Sequence, residues 1–278
     1  MSYKTIVVHL DAAARRAERL EIACTLAAGF DAHLVGLFAL ASLPVPFAFG
    51  GNAGTVLASE QSWREKAAAE AQHEFERVVA RHGVKAEWRD APEDAVAAVR
   101  LSARYADLVV VGQDDGEASL REARIAERFA EEVVLTAGRP VLLVPYVGHF
   151  STIGARVLVA WNAGQDAARA LSDALPLLQR ARSVEVVAFD PEPSATGHGP
   201  RPGAGIALYL ARHGVQATAA QQHASIDVGN QILSRAADSD ADLIVMGAYG
   251  HSRARELVLG GATRTVLESM TVPVLMSH

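Results

Sequence analysis

The chain is written twice. Ala106-Asp107-Leu108-Val109-Val110-Val111-Gly112 recurs as Ala241-Asp242-Leu243-Ile244-Val245-Met246-Gly247. Further along, Pro140-Val141-Leu142-Leu143-Val144 is answered by Pro273-Val274-Leu275-Met276-Ser277, and the opening Thr5 to Leu10 by Arg156 to Trp161. Three matches in one order mark an internal duplication, so whatever fold one half adopts the other should share. A chain of 278 residues is also long for a single domain. The expected domains are 1–147 and 153–278, with a short uncharged link around Gly148.

Within each half, short apolar runs alternate with longer stretches of helical periodicity. Leu108 to Val111 is apolar without alternation, the signature of a parallel strand buried on both faces. Strands alternating with helices imply right-handed βαβ crossovers, so the expected fold is α/β, with two doubly wound, five-stranded parallel sheets in tandem. Helices are expected over 13–29, 58–82, 93–104 and 119–137 in the first half, and over 165–180, 203–213, 227–238 and 261–270 in the second. The connection 41–57 is too apolar to be wholly solvated, whereas 190–205 reads as a Pro- and Gly-rich surface loop.

In such sheets ligands bind beyond the carboxyl ends of the strands, and there the halves diverge. After its fourth strand the second half reads Gly247-Ala248-Tyr249-Gly250, then nine residues, then Gly260-Gly261-Ala262-Thr263. Gly247 and Gly250 allow a tight turn whose N–H groups can approach a ligand. Gly260 and Gly261 open a helix at the positive end of its dipole, which favours phosphate, and Thr263 adds a hydroxyl. The first half has Gly112-Gln113-Asp114-Asp115-Gly116 at this place and no downstream glycine pair. Two carboxylates there would repel a polyphosphate, so one phosphate site per chain is expected.

This pattern resembles the universal stress protein family, whose ATP-binding members carry G-x2-G-x9-G-[ST] after the fourth strand. Gly247, Gly250 and Gly260 match with the spacing intact, and the layout of tandem members fits nearly the whole chain. The resemblance implies ATP, AMP or ADP as ligand, with Mg²⁺ as a companion, and Ala160, Trp161, Phe189 and Met246 as the lining of the adenine and ribose pocket. It also implies pairing of domains through the last strand of each sheet, with a homodimer as a further assembly. Two positions depart from the pattern. Gly261 stands where the family has Ser or Thr. Asn162 stands where it has Asp and is a poorer Mg²⁺ ligand, although the first half keeps Asp11 there.

Composition narrows the classes. A net charge of −6 without any run of Lys and Arg argues against sequence-independent nucleic-acid binding. The one cysteine, Cys24, excludes an internal disulfide and, on an apolar helix face, reads as core. The start of the chain lacks the features of a secretory leader, and no apolar run is long enough for a bilayer; the expected location is the cytoplasm. Ten histidines show no metal-ligand spacing, and Asp90, Glu93 and Asp94 are accounted for by capping. The reading is a non-enzymatic, nucleotide-binding stress protein with a regulatory or protective role. The rivals are a nucleotide-dependent enzyme on a related fold, disfavoured because neither first turn has G-x-G-x-x-G, and a scaffold whose glycines only shape turns.

Overall fold

A computed structural model describes residues 2–13, 15–40, 53–113, 129–191, 203–223, 225–248 and 261–278. They form two compact units, Lys4–Val133 and a second comprising Met1–Tyr3 with Val134–His278. The loop 41–52, Asp114 to Gly116 and the stretch from Tyr249 to Gly260 fall outside the described residues.

The amino-terminal unit contains β1 (Thr5–Leu10), α1 (Arg16–Phe30), β2 (His33–Phe38), α2 (Ala53–His82), β3 (Ala86–Asp90), α3 (Ala95–Ala103) and β4 (Leu108–Gly112). Its strands run parallel in the order β3-β2-β1-β4. Ile6 and Val8 of β1 and Leu108 to Val111 of β4 are fully buried, as non-alternating apolar runs require. Gly36 in β2 lets the Phe75 ring of α2 lie on the sheet; a Cβ there would stand 2.5 Å from the ring. Asp94 caps α3 by accepting a hydrogen bond from the Val96 amide at 3.0 Å.

The second unit contains β5 (Val141–Val144), β6 (Arg156–Trp161), α4 (Gln165–Leu178), β7 (Ser183–Phe189), α5 (Ala204–Arg212), β8 (Ala217–Gln222), α6 (Val228–Asp238), β9 (Leu243–Gly247), α7 (Gly261–Ser269) and β10 (Val274–Ser277). Its strand order is β5-β10-β9-β6-β7-β8. All neighbours are parallel except β5 and β10, which pair antiparallel with Leu142 opposite Leu275. Both apolar last strands are thereby buried against one another, the outcome expected for edges too hydrophobic to leave open. α4 buries Ala167, Ala170, Leu171, Ala174 and Leu178, one face at helical spacing.

The duplication extends to individual hydrogen bonds. Asp107 accepts from the amides of Lys4 and Thr5 at 2.7 and 2.9 Å. Its counterpart Asp242 accepts from Ala155 and Arg156 at 3.1 and 2.8 Å. In each unit the aspartate of the repeated Ala-Asp motif therefore satisfies the amides where the first strand begins, groups that would otherwise lack a partner.

Candidate functional site

Parallel register brings the carboxyl ends of β6, β7 and β9 together in the second unit. Ala160 lies opposite Met246, and Trp161 opposite Ala188, one residue before Phe189. Met246 and Phe189 are buried, while Ala160 and Trp161 are half-buried. These four residues thus stand on adjacent strand ends. Asn162, exposed, closes the next turn: its Oδ1 accepts from the Gly164 amide at 2.9 Å while Ala163 takes the left-handed conformation at φ 58°. Asp11 does the same in the first unit, accepting from the Ala13 amide at 3.0 Å. The Asp-to-Asn difference therefore leaves the turn intact, since either side chain offers the oxygen it needs.

The glycines divide into two kinds. Gly247 ends β9 directly under the first turn of α4. A Cβ there would stand 2.6 Å from the Asp166 carbonyl carbon and 2.9 Å from the Ala167 Cα, so backbone packing alone requires glycine. Gly261 begins α7, is exposed, and has no atom of the described residues within 4 Å of where its Cβ would lie. Among the described residues no neighbour demands a glycine at that position. Ala262 is half-buried, and Thr263 is buried within the same first turn. Gly229 holds α6 close to α7, since a Cβ on it would be 2.5 Å from the Thr265 Cβ. Tyr249, Gly250 and Gly260 lie outside the described residues.

Two residues that the motif does not contain also sit at this edge. The His278 ring is 3.2 Å from the Ala248 carbonyl and 3.7 Å from the Asp166 carboxylate, where the glycine segment leaves β9. An acidic residue in the first turn of a helix is the only sequence signal for Asp166.

The first unit is arranged differently at the equivalent place. Arg19, almost wholly buried, donates from Nη2 to Asp11 Oδ1 at 2.6 Å, and its guanidinium lies against Gly112 at the end of β4. Arg16 donates to the Asp11 carbonyl at 3.0 Å and pairs with Glu74 at 2.8 Å. Burial pushes the Asp11 carboxyl up, but Arg19 and His9 outweigh it and leave the group below the ordinary carboxylate range. His9, buried beside Phe129 with ring centroids 4.6 Å apart, bonds the Ala39 carbonyl through Nε2 at 2.9 Å. A carbonyl only accepts, so the proton resides on Nε2; burial lowers the ring to about 4 and keeps it neutral. Asp11, retained where ATP-binding relatives use an aspartate, is thus engaged by the protein's own cation.

Among the described residues no group of three His, Cys, Asp or Glu could hold a metal ion, and no helix is long and apolar enough to cross a membrane.

Parallel strands alternating with helices in two matching repeats define a doubly wound α/β protein of duplicated design. The sequence model of the universal stress protein family matches residues 155–278, the second of the two repeats. Over 38 residues, 14% of this chain, it is 53% identical to a universal stress protein of Synechocystis. That match spans 13% of the relative's length. The fold is similar to that of a universal stress protein from Archaeoglobus fulgidus, with a TM-score of 0.75 and 16% identity over 98% of this chain and 95% of that one. It is also similar to a protein of unknown function from Pseudomonas aeruginosa, with a TM-score of 0.60 and 14% identity over 99% and 92% of the two chains.

Proposed function

We propose that this protein binds one adenine nucleotide, ATP or its AMP or ADP form, in the second unit, and serves a regulatory or protective role in the cytoplasmic stress response. The observation that carries the proposal is the open start of α7. Among the described residues no packing neighbour requires a glycine at Gly261, and the sequence keeps the G-x2-G-x9-G spacing from Gly247 through Gly250 to Gly260. First-turn amides left accessible at the positive end of a helix dipole suit phosphate. Ala160, Trp161, Phe189 and Met246 would contact base and ribose, and Asn162 a polar edge of the ligand. A Mg²⁺ ion arriving with ATP would take its ligands mainly from phosphate oxygens and water. The Arg19–Asp11 pair in the first unit supports a single site per chain. The role proposed is binding, with no dedicated substrate turned over.

The scaffold reading gains from Gly247, whose glycine is explained by the Ala167 backbone without any ligand. The two readings separate on direct measurement. Mass spectrometry of small molecules released from the purified protein should detect an adenine nucleotide, and calorimetric titration with ATP should give one site per chain. Two equivalent sites would refute the asymmetry, and no binding would leave the scaffold.

A further inference from the structure

The start of α6 is built into the start of α7. A Cβ on Gly229 would stand 2.9 Å from the Ala262 carbonyl oxygen and 2.5 Å from the Thr265 Cβ, so the two helices meet near their first turns. The parallel strands deliver both helices to one edge. α6 follows β8 and α7 follows β9, and each therefore begins beyond the carboxyl ends of the strands.

One carboxylate bonds to both helices. Asp227, the residue before α6, accepts from the Asn230 amide at 3.1 Å and from the Asn230 side chain. The Gly229 amide and the Thr265 hydroxyl of α7 donate to it as well. These bonds, the Asn230 side chain foremost, hold the carboxyl below its ordinary value and keep it charged throughout the neutral range. Thr265 follows Gly261 by about one helical turn, or roughly 6 Å along the axis. A helix cap needs only an oxygen, and asparagine or serine supplies one as well as aspartate does. What distinguishes Asp227 is its charge, tied by Thr265 to the helix whose start faces the ligand.

We infer that Asp227 is a specificity-determining residue of the nucleotide site: its charge, fixed beside the first turn of α7, selects against added phosphate charge and biases the site toward the shorter phosphate chain. The inference rests on the reading proposed above, in which phosphates approach the α7 amides. A separation of roughly 6 Å is shorter than the Debye length of about 10 Å at 0.1 M salt, so like charges there still repel. ATP brings more negative charge to that place than AMP does.

Calorimetric titration of the full chain with AMP and with ATP, in metal-free buffer of low salt, tests this. Asp227→Asn keeps the capping oxygen and removes the charge. The ratio of ATP affinity to AMP affinity should rise about threefold or more, and the rise should shrink when salt screens the charge. A role confined to helix packing would move both affinities alike and leave the ratio where it was. Asp227→Ser, a second neutral cap, should give the same shift and decides the matter if the asparagine variant fails to fold. A ratio that stays unchanged or falls in the folded variants overturns the inference and leaves the nucleotide site in place. A wild type that binds neither nucleotide removes the site itself, and this inference with it.

Discussion

The Arg19 guanidinium carbon lies 3.1 Å from the point where a Cβ on Gly112 would stand. Gly112 and Gly247 occupy the same place in the repeat, yet they are glycine for different neighbours. In the first unit the missing side chain accommodates a buried cation; in the second it accommodates the backbone of α4.

Arg19→Ala should destabilise the first unit. It strands Asp11, whose side chain is 25% exposed while that of Arg19 is 5% exposed. Removing one partner of a fully buried pair costs about 3–5 kcal/mol, and the exposure of Asp11 reduces the expected loss to about 2–3 kcal/mol. Gly112→Ala should reproduce much of this by displacing the guanidinium. Urea unfolding of Arg19→Ala, Asp11→Asn and the double variant checks it: the double should lose less than the sum of the singles.

His9 makes stability depend on pH in a defined window. Its folded value, about 4, lies below the ordinary 6.5. The unfolded chain therefore takes up a proton as pH falls through 6.5, while the folded chain resists until about 4. Stability should drop across that interval by about 3 kcal/mol and level off below it as far as His9 is concerned. The depressed Asp11 carboxyl acts in the same direction at lower pH: its contribution is present above the ordinary carboxylate value and is lost as pH falls below it. His9→Gln, which keeps a donor for the Ala39 carbonyl, should flatten the curve between pH 6.5 and 4. An unchanged slope in that variant would assign the dependence to other groups.

Gly247 and Gly261 should respond oppositely to alanine. Gly247→Ala drives a methyl into the Ala167 backbone and should cost about 1–3 kcal/mol of stability whether or not nucleotide is present. Gly261→Ala meets open space and replaces a poor helix former, so the fold should be retained or slightly strengthened. Nucleotide affinity measured on the folded Gly261→Val variant should fall at least tenfold if phosphates approach there. Wild-type affinity would place the ligand elsewhere.

Cys24 should be silent to thiol reagents in the native protein. It is fully buried, and burial pushes its thiol up to about 12. The thiolate is the reactive form, so modification should proceed only through opening of the Lys4–Val133 unit and accelerate in denaturant in step with unfolding. Rapid labelling without denaturant would contradict this.

The repeated apolar runs revealed the strands well, because a strand buried on both faces leaves a continuous hydrophobic signature. Leu108–Gly112 and Leu243–Gly247 lie within the segments expected. Helix boundaries were less legible. α2 starts at Ala53 rather than 58, since Gly54, Thr55 and Val56 are weak helix formers by propensity, and α1 starts at Arg16 rather than 13 because Asp11 directs a turn through the Ala13 amide. Arg19 was invisible as a core residue: an arginine in an amphipathic pattern reads as solvated, and its burial depends on a carboxylate supplied from beyond the helix. The spacing of the glycine motif could not tell that Gly247 answers to the backbone of α4.

The antiparallel meeting of β5 and β10 bears on how the chain is made. β5 leaves the ribosome early, yet the side it turns toward β10 stays unsatisfied until nearly the whole second repeat has followed. β10 then inserts between β5 and β9, so an interior strand of this unit's sheet is the last part to be delivered. Folding of this unit during synthesis must wait for its final strand, and nascent chains stalled before β10 expose an apolar strand flank that chaperones would be expected to shield.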